Sequence, residues 1–170
     1  MEQRETVLKV LRELDIKFEI FEHPPVPTVE AALPYWNNID ATHCKNLFFR
    51  NHKGNRHYLV ILKHIRQLKI RDLEQRLRQG KISFASPRRM DQYLGLSGGS
   101  VSAFGLINDR ENHVHLFLDA DLRSSERISF HPNENTSTVV ISFESFLKFL
   151  DWSGNSYEFI TLYDSEHTGD

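Results

Sequence analysis

The sequence predicts a mixed α+β fold, one domain over residues 1–170. Three observations carry that expectation. Short apolar runs of strand length alternate with segments of helical period, some strands follow one another directly as hairpins, and no glycine- or proline-rich linker divides the chain. At 170 residues, 39% of them hydrophobic and 11% aromatic, the chain is long enough to bury a core of its own.

The elements follow in order. Val7, Leu8, Val10, Leu11 and Leu14 recur at helical spacing and predict a helix over residues 4–15. Phe18-Glu19-Ile20-Phe21 predicts a short strand, stopped by the prolines at 24, 25 and 27. Thr28 is placed to cap a second helix, Glu30 favours its first turn, and Pro34 is expected to end it. Residues 45–50 and 57–63 flank Asn51-His52-Lys53-Gly54-Asn55 and predict a hairpin. Asp72 is expected to cap a helix over residues 73–79, with Gly80 supplying a left-handed stop. A strand over residues 82–85 leads to Ser86-Pro87, an N-cap followed by proline at the first helical position, and that helix stops at Gly95. Strands are predicted over 114–120, 127–131 and 137–142, the last two joined by a turn at Pro132-Asn133-Glu134-Asn135. Residues 143–150 read as a helix, and a polar tail containing Tyr157, Phe159 and Ile160 follows.

Composition removes several function classes. A single cysteine excludes a disulfide framework and a multi-cysteine zinc site. The charged start of the chain and the lack of any run of ~18 apolar residues lead to the expectation of a soluble, cytoplasmic protein with no membrane partner. Gly-x-Gly-x-x-Gly, Walker and Gly-x-Ser-x-Gly patterns are absent, so no nucleotide cofactor or hydrolase elbow is expected. His113 and His115 point two imidazoles to one strand face shared by Asp119, but no third ligand stands at a diagnostic spacing; two surface histidines and no metal is the simpler reading. The net charge of −2 hides an asymmetry: residues 63–89 carry nine basic and two acidic side chains, a net of +7. Such a run either contacts a polyanion or is a solvated face balanced by the acidic C-terminal third, and the charge alone leaves both open.

Three stretches carry the chemistry. Lys45, in His43-Cys44-Lys45-Asn46-Leu47-Phe48-Phe49, shares a strand face with Leu47 and Phe49, a costly place for a cation without a partner or a task. An edge-strand guard against aggregation is the alternative. Cys44 beside it is either a reactive thiolate or, more simply, a buried small hydrophobe. Glycines 95, 98, 99 and 105 form a loop that either approaches a ligand with its backbone or only connects helix to strand. His131 ends a strand beside a tight turn.

Together these stretches, His43 to Phe49, Leu94 to Leu106 and Phe130-His131-Pro132-Asn133-Glu134-Asn135, resemble the YbaK/ProX family of aminoacyl-tRNA editing domains, its free-standing ProX branch in particular. The resemblance covers nearly the whole chain and implies an α+β fold with a mixed, curved β-sheet surrounded by helices. It also implies hydrolysis of the ester that joins a wrong amino acid to the tRNA 3′-terminal ribose, alanyl-tRNA(Pro) first, with no cofactor. Cysteinyl-tRNA(Pro) hydrolysis and a non-catalytic aminoacyl-tRNA sensor are the alternatives. It implies Lys45, Gly95 and Gly99 as the catalytic set, and Asn46, Gly98, Ser100 and His131 as substrate contacts. Arg76, Arg78, Arg88 and Arg89 of the basic run become the expected tRNA contacts, and prolyl-tRNA synthetase an expected partner. Gly98 stands where the family loop has a proline, and Ala103 where many relatives have a second one.

Overall fold

The structure, a computed structural model, describes residues 2–163. Helix α1 (Gln3–Glu13) precedes β1 (Glu19–Glu22), α2 (Val29–Trp36), the hairpin β2 (Thr42–Asn51) and β3 (His57–Lys63), α3 (Ile70–Leu77), β4 (Ile82–Phe84) and α4 (Pro87–Leu94). After a looped segment come β5 (Val114–Asp119), β6 (Arg127–Phe130), β7 (Ser137–Ser142), α5 (Phe143–Ser153) and β8 (Tyr157–Ile160). The strands form one eight-stranded mixed sheet in the order β1-β7-β6-β2-β3-β5-β8, with β4 also on β2. Pairs β2–β6, β3–β5 and β5–β8 are parallel and the others antiparallel.

Strand alternation divides the core between the two sheet faces. On one face Leu59, Ile61, Leu116, Leu118, Ile128 and Val139 receive Val7 and Leu11 of α1, Leu94 of α4, and Phe146 and Phe149 of α5. The opposite face buries Leu73 and Leu77 of α3 against Phe49, Tyr58, Val60 and Leu62. Further along that face, Ala32 and Trp36 of α2 pack with Val26 and Val140. Each such large apolar side chain contributes about 1.5–3 kcal/mol on burial, which outweighs helix propensity in segments this short.

Several boundaries differ from the sequence reading for local reasons. Pro34 does not end α2. The helix continues to Trp36, which is 6% exposed and stacks on His43 at 4.7 Å, so tertiary anchoring offsets the one backbone bond that proline removes. Asp72 lies in the first turn of α3 instead of capping it; Lys69 holds the N-cap position without a side-chain bond, and Arg78 takes the left-handed C-cap (φ 56°), two residues before Gly80. Thr28, Ser86 and Ser142 do cap their helices, accepting from the N–H groups of Ala31, Arg89 and Ser145. The segment read as a polar tail contains β8, which adds in parallel to β5.

The basic run also divides. Helix α3 covers one face and α4 the other, because β4 at the margin carries the chain across. The run is therefore not one patch.

A candidate hydrolytic cavity where the sheet parts

One edge of β2 is fully paired with β3, but its other edge is shared. Thr42 and His43 pair with Ile128 and Ser129 of β6, whereas Phe49 to Asn51 pair with β4. Between those contacts β2 and β6 separate, and a cavity of about 90 Å³ opens there. Cys44 and Asn46 line it from β2, Ser129, Phe130 and His131 from β6, and Thr138 from β7. The segment Val26 to Val29, with Trp36, closes one side, and Gly98, Gly99 and Val101 the other.

Backbone bonds hold these walls together. The N–H of His23 donates to the Thr136 carbonyl and that of Val26 to the Asn135 carbonyl, each at 3.0 Å. Asn133, in the left-handed region at φ 61°, donates its amide to the Phe104 carbonyl at 3.2 Å, tying the turn after β6 to the glycine-rich segment. That segment is not open loop: it forms 3-10 turns at Gly98–Ser100 and Ala103–Asn108. Gly99 passes so close to the facing wall that a Cβ would stand 3.5 Å from the Cα of Pro27 and 3.3 Å from the Asn135 amide.

The imidazoles around the cavity are neutral in character. Burial pushes His43 and His131 below the ordinary histidine range, and carbonyl partners only partly oppose it. A carbonyl can only accept, so each contact fixes a tautomer. His43 donates from Nε2 to the Ile39 carbonyl at 3.1 Å, and His131 from Nδ1 to the Ser137 carbonyl at 3.0 Å. His131 thereby keeps a lone pair on Nε2. Burial holds the Cys44 thiol well above its usual range, so it stays protonated and is no nucleophile. Asn46 has a side-chain oxygen out of reach of solvent with no partner, an acceptor waiting for a donor.

The cavity brings together four of the expected residues: Asn46, Gly98, Gly99 and His131. Lys45 is not among its lining. It shares the β2 face with His43, as alternation requires, and its ammonium donates to the Arg66 carbonyl. It nevertheless lies close enough to His64 to help lower that imidazole's pKa, after burial, and His64 meets Trp36 edge-on at 5.3 Å. Gly95 is the left-handed C-cap of α4 (φ 65°) and its carbonyl accepts from Gln3 at 2.7 Å. Gly95 and Ser100 line a neighbouring groove with Gln3, Asp91 and Asn133, on the other side of Gly98.

Of the four arginines, Arg78 and Arg88 are exposed, and Arg76 donates to the Thr161 carbonyl at 3.1 Å. Arg89 is committed inward, with Nη1 donating to the Gly54 carbonyl at 2.8 Å and to His57 at 3.1 Å. His113 and His115 do not form a pair. His113 precedes β5 and meets His57 at 2.9 Å, while His115 bonds Ser156 and Glu158. Sequence reading missed Ser129, Thr138 and Trp36 as wall residues, and His43 as the partner behind Ser129. For the two strand residues the only signal was strand parity, visible once the strand register is known.

A family model described as "Aminoacyl-tRNA editing domain" matches residues 23–149. The prolyl-tRNA editing protein ProX of Acetoanaerobium sticklandii is 36% identical over 163 residues, covering 95% of this chain and 99% of its own. A prolyl-tRNA synthetase associated domain-containing protein 1 from Xenopus laevis is 34% identical over 156 residues, 89% of this chain and 92% of its own. Among solved structures, a candidate trans-editing enzyme for prolyl tRNA synthetase superposes with a TM-score of 0.70 at 17% identity, covering 95% of this chain and 98% of its own.

Proposed function

This chain belongs to the aminoacyl-tRNA editing domain family and is an aminoacyl-tRNA deacylase, a hydrolase of ester bonds, and we propose that its substrate is mischarged alanyl-tRNA(Pro). The observation that carries the reading is the small cavity at the parting of β2 and β6, where Asn46, the backbone of Gly98 and Gly99, and His131 converge. An aminoacyl ester is already activated, so positioning and charge stabilisation suffice without a nucleophilic side chain. Water attacks the ester carbon, and the neutral Nε2 of His131 is the group placed to steer it and take its proton. His131 returns that proton to the departing ribose oxygen as the ester C–O bond breaks, releasing free amino acid and tRNA. The Gly99 amide, in the turn Gly98–Ser100 whose closing bond runs from Ser100 to Ser97, is the donor available for the developing oxyanion.

Selection rests on size. In this proposal the small cavity, about 90 Å³, accepts a methyl side chain and excludes the proline ring. The synthetic site of a prolyl enzyme cannot reject the smaller alanine in the same way, since a missing methylene is worth only ~1–3 kcal/mol. Hydrolysis in a second, smaller pocket removes what the first lets through. In this proposal Lys45 acts from the rim on the terminal phosphate or ribose, releasing the Arg66 carbonyl when tRNA arrives. Arg76 and Arg78 of α3, on the same sheet face, support contact with the tRNA body, and prolyl-tRNA synthetase is the proposed source of the substrate. Deacylation of a panel of tRNA(Pro) esters tests the reading. Alanyl ester should turn over far faster than prolyl ester; equal rates, or preference for the cysteinyl ester, overturn the choice of alanine.

A further inference from the structure

Two hydroxyls on the cavity wall have their protons directed away from the cavity. Ser129 is 2% exposed and its Oγ lies 2.5 Å from Nδ1 of His43. His43 donates from Nε2 to the Ile39 carbonyl, so the neutral ring offers only a lone pair at Nδ1, and Ser129 must be the donor. Thr138 repeats the arrangement on the next strand. Its Oγ1 lies 2.8 Å from Nε2 of His23, whose Nδ1 is occupied in donating to the Pro24 carbonyl at 2.9 Å. In the Nδ1–H tautomer that this contact selects, Nε2 accepts from Thr138, whose oxygen in turn accepts from the indole of Trp36 at 3.4 Å. What both residues can still offer a ligand is oxygen lone pairs. Asn46 adds the carboxamide oxygen that has no partner.

We propose that the side-chain oxygens of Ser129, Thr138 and Asn46 form an acceptor cradle that reads the α-ammonium group of the esterified amino acid. This rests on the deacylase reading and deepens it. A primary ammonium brings three donors and no acceptor, which matches three acceptor oxygens. Proline carries a secondary ammonium with two donors, so one oxygen stays unsatisfied even where the ring could be accommodated. The cradle therefore discriminates by donor count in addition to size. A hydroxyl in place of the ammonium supplies one donor and removes the charge. Hydrogen bonds to charged groups set the scale, a loss of about 10- to 100-fold in kcat/KM.

The test compares alanyl-tRNA(Pro) with lactyl-tRNA(Pro), its smaller hydroxyl counterpart, each rate divided by that ester's spontaneous hydrolysis. The alanyl ester should be favoured about 10-fold or more. Steric exclusion alone cannot produce that preference, because the lactyl ester is no larger. Ser129→Ala should collapse the alanyl-to-lactyl ratio toward one, and Ser129→Thr, which keeps the hydroxyl, should retain much of it. Equal normalised rates on the two esters with wild-type protein overturn this inference and leave the deacylase reading standing. A wild-type protein inert on both esters overturns the two together. A Ser129→Ala variant that slows both esters by the same factor marks Ser129 as a general structural support, again against the cradle. If that variant fails to fold, the wild-type comparison still decides.

Discussion

Gly98→Pro is the change whose outcome the structure specifies most closely. Proline demands a fixed φ, a preceding residue in the extended region, and no need for its own N–H. Gly98 meets these demands. It opens the 3-10 turn Gly98–Ser100, the position where proline is favoured, and Ser97 before it is extended at φ −99° and ψ 166°. The bond that closes the turn runs from the Ser100 N–H to the Ser97 carbonyl at 3.0 Å and does not involve the Gly98 N–H. A Cβ at 98 would meet nothing within 4 Å. The gain then comes from restricting the unfolded chain, roughly 0.4–1 kcal/mol. For a chain of this length that is an increase of about 1–4 °C in Tm. Thermal unfolding followed by circular dichroism reads the first effect, and the ratio of alanyl to prolyl deacylation the second. The ratio should hold or rise, because the ring stiffens a wall of the cavity. A lower Tm or a dead enzyme would show that the turn needs a conformation or an N–H that proline cannot supply.

Lys45→Ala should cut deacylation of alanyl-tRNA(Pro) at least 100-fold with Tm nearly unchanged, and Lys45→Arg should also be badly impaired; wild-type rates in both would remove the lysine from the mechanism. Replacing Arg76 and Arg78 by Ala should weaken tRNA binding and lower the slope of log K against log salt by ~0.7–0.9 per lost contact, whereas Arg88→Ala on the opposite face should change it little. An equal effect from both would place the tRNA elsewhere. His57 is 1% exposed, and burial, with His113 and Arg89 adding, holds its pKa down to about 4. Its contribution to stability is full above the unfolded histidine pKa of ~6.5 and is lost as pH falls toward 4, on the order of 2–3 kcal/mol. Denaturant titrations at pH 7.5 and 4.5 should show wild-type losing more stability than His57→Gln; identical losses would refute the assignment.

The capped helices were legible in the sequence because their signals are local. Thr28, Ser86-Pro87 and Gly95 each act within one turn, and the structure uses them as capping chemistry requires. The failures share a cause. Pro34 reads as a stop until Trp36 is seen locked against His43 from a strand beyond it in sequence, and Tyr157–Ile160 reads as tail until β5 offers an edge to pair with. In both cases a contact distant in sequence outweighs a local preference of about 1–3 kcal/mol. The basic run shows the same limit. Counting charges cannot reveal that β4 carries the chain from one face of the sheet to the other.

The site divides along the same line. The glycines stood out as a loop and His131 by its place beside a tight turn, whereas Asn46 was reached only through the resemblance of its stretch to a known family. Ser129 and Thr138 could not be singled out, for a serine and a threonine in β-strands are ordinary. What distinguishes them is where their protons go, and that follows from carbonyls at Ile39 and Pro24, far from either in sequence. Lys45 marks the opposite limit. Its residue type marked it for function, yet alternation along β2 puts it on the face of His43 and directs its ammonium to Arg66. A cation kept outside a neutral, acceptor-lined cavity has a physical consequence. Inside, it would compete with the α-ammonium for the same oxygens and repel it; at the rim it can meet a phosphate while the cavity stays free for a positively charged guest. On the function proposed above, the separation of Lys45 from Asn46, adjacent in sequence and opposite in facing, lets one strand address both charges of an aminoacyl-tRNA end.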